Sequence, residues 1–255
     1  MGKTIRGICK LCDLEKDIIR SHIIPDSFYR EIKKGSGGNF VLINNDPNSK
    51  MQVSQTGVWE HLLCAECDNK LGRYDGYALN FCKQYWGTII TNEKRLIASN
   101  VDYKLMRLFQ ISVLWRAQIT TRYEFQSSKF HPKHEARLKQ MILNEDIGKY
   151  YEYGCFLYLN VDEGKVLKYL IKTPSHYTFK GFNGVDFTFG GFTWAFLVNS
   201  HMEKFPFNDY LLQDGKDVPI TIAEFYKLKT HRSLLKQFQE QGKLQRMIDY
   251  FDKHP

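Results

Sequence analysis

The residues with the plainest chemistry are two Cys-x-x-Cys pairs, Cys9-Lys10-Leu11-Cys12 and Cys64-Ala65-Glu66-Cys67. Each pair sets two thiolates one knuckle apart, at two corners of a tetrahedral site. Two pairs supply four soft ligands, the donor set of a closed structural zinc centre. The chain has 6 cysteines, a number that would also suit three disulfides in a secreted protein. Paired spacing favours metal in a reducing compartment instead. Cys82 and Cys155 stand apart and are expected to be buried as small hydrophobes. Between the pairs lies Ser21-His22-Ile23-Ile24-Pro25. A histidine beside an isoleucine-rich strand is most often structural. Its place between two knuckles, just before a helix start, makes His22 a candidate for chemistry.

These residues need elements to hold them. Residues 1–24 read as a short strand, a cysteine knuckle and a second strand. Pro25-Asp26-Ser27 is a helix-start signal for a short helix, Phe28–Lys34, which Gly35-Ser36-Gly37-Gly38-Asn39 breaks. Phe40–Ile43 and Met51–Ser54 read as strands around the turn Asn44–Asn48, and Trp59–Leu63 leads into the second knuckle. After Cys64 the apolar period turns helical through Leu71, Tyr74, Ala78, Leu79, Cys82 and Trp86. Val101–Arg122 is a second helix, apolar on most sides and therefore expected to be buried. A third, amphipathic helix starts at Pro132 and runs to about Asn144. Beyond Tyr153 strands are expected at Phe156–Val161, Val166–Lys172, Tyr177–Phe182, Phe187–Phe189 and Phe192–Asn199, with Gly-rich turns. Ile222–Leu228 and Leu234–Phe251 read as basic helices.

The 255 residues are 43% hydrophobic, with 18 Phe, 15 Tyr and 4 Trp, which is enough for a large core. No apolar run approaches the ~20 residues of a membrane span, so no membrane partner is expected. A knuckle follows the basic N-terminus where a signal peptide would have its apolar region, which reads as a soluble, cytoplasmic protein. The net charge of +8 tilts the partner toward a polyanion such as nucleic acid.

Taken together, the two pairs and His22 resemble the HNH family of His-Me finger endonucleases. There a zinc-stapled ββα unit carries Asp-His-Ile/Val-x-Pro on its first strand, and a second Cys-x-x-Cys opens the helix. The matching residues are Cys9, Cys12, Ser21–Pro25 and Cys64–Lys70. The resemblance implies that His22 is the base that activates water. It also implies that Ser21 and a residue at the helix start, Asp68 or Asn69, hold a catalytic Mg²⁺ or Mn²⁺ ion. The family has Asp where this chain has Ser21, a poor ligand for a hard cation. Glu60, His61, Asp68 and Asp75 are the further ligand candidates nearby. Asp68 and Asp75 are two helical turns apart and can face one side. A narrower resemblance, from about Cys9 to about residue 160, is to uncharacterised bacterial HNH-like proteins. They share Ser-His-Ile-Ile-Pro, Leu-Cys-x-x-Cys with an acidic residue next, and Leu-Trp-Arg-Ala, here Leu114–Ala117. In that subgroup serine before the histidine is normal.

Arg116, inside an apolar helix, needs either an internal acidic partner or a phosphate. His131 and His134 are expected at a solvated helix start. The fold expected is α+β: a treble-clef ββα zinc finger over residues 1–97, a helical segment over 98–150, and a C-terminal antiparallel sheet with terminal helices over 151–255. The function expected is a metal-dependent endonuclease acting on DNA, in bacterial defence or a mobile element. The alternative is a zinc module without catalysis that binds nucleic acid or a partner protein.

Overall fold

The computed structural model describes residues 5–35, 40–42, 52–198, 202–227 and 236. Strand β1 (Ile5–Ile8) runs antiparallel to β2 (Glu15–His22), and the first cysteine knuckle joins them. Asp13 turns the chain there with φ 58°. Helix α1 (Asp26–Gly35) follows Pro25, with Asp26 in its first turn and Lys33 and Lys34 in its last, each complementing the helix dipole. Short strands β3 (Phe40–Leu42) and β4 (Gln52–Ser54) pair with each other; the turn Asn44–Asn48 lies outside the described residues. Strand β5 (Trp59–Cys64) returns antiparallel to β2, completing a sheet of order β1-β2-β5. Cys64 is both the last residue of β5 and the N-cap of α2 (Ala65–Lys83). One residue therefore ends a strand, starts a helix and offers a thiol.

Strand β6 (Arg95–Ala98) precedes α3 (Tyr103–Ile119), which Asp102 caps by accepting from the Leu105 amide at 2.9 Å. Every residue of α3 from Met106 to Gln118 is buried, as the all-round apolar pattern requires. Helix α4 (Pro132–Asn144) matches its expected range and packs on α3. The second sheet uses β7 (Cys155–Asp162), β8 (Lys165–Val166), β9 (Lys172–Phe179), β10 (Phe182–Phe189), β11 (Phe192–Leu197) and β12 (Val218–Glu224). Its main order is β6-β12-β7-β11-β10-β9, antiparallel except where β12 runs parallel to β7. Gly190 and Gly191, at φ 65° and 86°, close the two-residue turn between β10 and β11. A Cβ on Gly190 would come within 2.5 Å of the Phe28 ring, so that turn lies directly against α1.

The architecture is mixed α and β: α1 falls within the first sheet in sequence, α2 between the two sheets, and α3 and α4 between β6 and the rest of the second sheet. Phe109 of α3 meets Trp194 at 5.1 Å between ring centres and Phe189 at 6.2 Å, while Phe28 of α1 meets Phe189 at 4.9 Å. One buried apolar cluster thus runs from Cys9 to Ile220. A division at residue 97 falls inside β6, which pairs with β12 of the second sheet.

Three expected elements differ. Val166–Lys172 is not a strand: β8 stops at Val166 and β9 begins at Lys172. Tyr177–Phe182 spans a turn at Lys180–Gly181, whose φ values are 52° and 82°; lysine hides the first turn position. The helix expected at Ile222–Leu228 is not there in its described residues: Val218–Glu224 is a strand, Phe225–Lys227 make a single 3-10 turn, and Leu228 lies outside the described residues. Its run Val218-Pro219-Ile220-Thr221-Ile222, β-branched at every position but the proline, is held by neighbours on both sides, β7 and β6. The expected helix Leu234–Phe251 lies, apart from Lys236, outside the described residues. No helix among the described residues is long and apolar enough to cross a membrane.

Candidate metal centre and histidine cleft

The two knuckles meet because β2 and β5 pair, with Ile18 opposite Cys64. The Sγ atoms of Cys9, Cys12, Cys64 and Cys67 all lie within 4.8 Å of one another, and none forms a disulfide. Four thiolates at about 2.3 Å around one tetrahedral ion would stand about 3.8 Å apart, so the cluster fits a single metal with small adjustment. It is the one group of three or more metal-type donors this close among the described residues. Burial pushes the Cys9 thiol up, but the amides of Cys12, Cys64 and Leu11 aimed at its sulfur outweigh that and bring it down to about 7. The Cys64 amide donates to Cys9 Sγ at 3.4 Å. The knuckle backbone thus favours the thiolate at Cys9, the form that binds metal, while burial raises the thiols of Cys12 and Cys67. Cys82 and Cys155 are buried, as expected of small hydrophobes.

His22 is the last residue of β2 and opens onto a cleft of about 250 Å³. Four elements build the cleft. The β2 end supplies His22, the first turn of α1 supplies Asp26, and α2 supplies Asp68 and Asp75; Arg116 reaches in from α3. His22 Nε2 lies 3.5 Å from Asp26 Oδ1. Burial lowers the His22 pKa, against the opposing charges of Asp26 and Asp68; Arg116 adds to the lowering. The ring is therefore held neutral at rest beside two carboxylates that would stabilise its charged form. Asp68 and Asp75 share the cleft, as their two-turn spacing predicts.

Arg116 has an internal acidic partner. Its Nη1 donates to Asp75 Oδ2 at 3.0 Å and its Nη2 to Oδ1 at 2.6 Å. Nη1 also donates to the His22 carbonyl oxygen at 3.2 Å. Burial raises the Asp75 pKa, and the bidentate guanidinium opposes this. Both Asp75 oxygens are thus taken, so its place in the cleft is as the anchor of Arg116. Arg116 in turn fixes the backbone of His22.

The other candidates lie elsewhere. Ser21 is fully buried, and its Oγ has no hydrogen-bond partner. As the strand neighbour of His22 it points to the opposite face of the sheet. Its cross-strand partner is Glu60, which shares that face. Glu60 accepts from Thr120 Oγ1 at 2.6 Å, Thr121 N at 2.8 Å and Thr121 Oγ1 at 2.8 Å, tying β5 to the end of α3. His61 lines a second cleft with Glu60 and Trp59. Asn69 is exposed, beside Asp68 on α2, and does not line the His22 cleft. His131 caps α4, and His134 pairs with the Tyr153 hydroxyl at 3.0 Å; neither lines the cleft. The residue that sequence reasoning passed over is Asp26, since an acidic residue after proline reads as a helix start. Its four-residue separation from His22 was the available signal.

No protein-family model, no curated protein and no solved structure matches this chain.

Proposed function

We propose that this protein is a metal-dependent HNH-like endonuclease that hydrolyses phosphodiester bonds of nucleic acid, DNA first among its substrates. Cys9, Cys12, Cys64 and Cys67 hold a structural zinc ion, and the β1-knuckle-β2 and β5-α2 units form a treble clef around it. The observation that carries this reading is the position of His22, whose neutral ring shares a cleft with Asp26, Asp68 and Arg116. His22 takes a proton from water, and Asp26 at 3.5 Å stabilises the imidazolium that results. Arg116 and Asp75 hold the end of β2 so that the ring stays over the cleft.

Asp68 is the cleft carboxylate that would hold Mg²⁺ or Mn²⁺, since Asp26 pairs with His22 and, through Oδ2, with Arg30 at 3.2 Å. A small divalent ion needs only one or two protein carboxylates beside water and substrate phosphate. When bound, such an ion supplies charge stabilisation for the phosphoryl oxygens and the leaving oxygen. The test is incubation of the zinc-loaded protein with plasmid DNA, single-stranded DNA and RNA, with and without Mg²⁺ or Mn²⁺. Strand breaks that require the divalent ion are expected. Intact substrate in every arm would contradict the proposal.

A second reading is a zinc module without catalysis that binds nucleic acid or a partner protein. What favours it is Ser21, which turns a partnerless hydroxyl into the core and adds no carboxylate to the cleft.

A further inference from the structure

A second cleft, of about 490 Å³, lies along β5, the edge strand of the N-terminal sheet. That volume is within the usual range for ligand sites. Its lining includes Trp59, Glu60, His61 and Arg122. Trp59 is the cross-strand partner of His22, and His61 that of Arg20, so these four side chains share one face of the β2–β5 ribbon. The Arg20 guanidinium lies 4.2 Å from the centre of the Trp59 ring, and the His61 ring meets Trp59 edge-on at 5.5 Å. Arg20 is exposed, and Trp59 and His61 are half-buried. An aromatic and guanidinium platform therefore faces outward beside the histidine cleft.

We infer that this platform and cleft bind an unpaired base of single-stranded nucleic acid next to His22. The chemistry points to one occupant. Indole and guanidinium planes stack on the face of a base. The exposed Arg20 matches the charge of the backbone. A base inside a duplex has both faces covered and cannot use such a platform. The pairing of Trp59 with His22 sets the two side chains about 5 Å apart at Cβ, so a strand stacked on Trp59 brings its adjoining phosphate toward the histidine. The inference names the substrate class of the proposed nuclease site and rests on that reading.

Zinc-loaded His22→Ala protein, which leaves the strand intact, is titrated with a labelled single-stranded DNA, the same sequence as RNA, and the DNA duplex. At least one single strand is expected to bind about tenfold or more tighter than the duplex, and the DNA and RNA arms tell which sugar is preferred. Trp59→Ala is expected to weaken that binding by about fivefold or more, the loss of one stacked base. Trp59→Phe should keep the affinity while removing the fluorescence quenching that the strand causes in the parent. Arg20→Ala, at an exposed position, should also weaken single-strand binding. Equal affinity for duplex and single strand, no binding of either, or Trp59→Ala and Arg20→Ala proteins that bind like their parent would overturn the inference. Cleavage that persists while binding ignores Trp59 would sink this inference alone. Trp59-dependent binding without cleavage would sink the nuclease reading alone.

Discussion

His22 is held in place by residues distant in sequence. Its carbonyl accepts from Arg116, whose charge is balanced by Asp75, and both partners are almost wholly buried. Removing one member of such a pair leaves an uncompensated buried charge, at a cost of about 3–5 kcal/mol. Asp75→Ala should therefore cost that much in chemical denaturation. The Asp75→Asn and Arg116→Met double variant should cost clearly less than the sum of its two single changes. Additive losses would show that the two side chains do not act as a pair. At this scale the sequence was partly legible. The four cysteines and His22 declare themselves by type and spacing, and a guanidinium in an apolar helix announces an acidic partner. Which acid it takes is a tertiary fact, because Asp75 and Arg116 are 41 residues apart. Asp26 was hidden for the opposite reason: a helix start already explains it.

Between elements, Glu60 is the joint that fastens β5 to the chain leaving α3. Burial pushes its pKa up, but the Thr120 and Thr121 donors win and hold the carboxyl below its ordinary value of 4.5. A carboxyl with a lowered folded pKa contributes stability that is present above pH 4.5 and lost as pH falls through the folded pKa. Glu60→Gln should thus lose roughly 1–2 kcal/mol at pH 7, by thermal or urea unfolding, since bonds to a charged acceptor weaken. The gap between parent and variant should close on acidification below pH 4.5. A gap that stays constant with pH would remove the charge from the account. Helices were the legible elements here: α4 starts at its proline and ends at Asn144 as its pattern predicts, with Glu145 in the left-handed conformation just past it. The last strand was not legible. Val218–Glu224 takes its state from two partners distant in sequence, and the helix-like reading of Ile222 onward had no view of them.

Across the molecule, the cysteine centre and the large sheet share one buried apolar cluster, so a metal held by the four cysteines would support more than its own knuckles. Cys64 joins a strand, a helix and the donor set, and α1 and α2 pack on the aromatic face of the second sheet through Phe28 and Phe81. One zinc per chain is expected by elemental analysis. Cys64→Ser or a strong chelator should release it and lower the melting temperature of the whole chain in one step. A melting temperature indifferent to metal would show that the cysteines are only core thiols. The central claim remains the one about His22. It is tested most directly by the single-turnover rate of strand cleavage in the presence of Mn²⁺, measured for the parent and for a His22→Ala protein of matched zinc content. Loss of a general base predicts a rate lower by about 10²-fold or more. Equal rates in the two proteins would contradict the account.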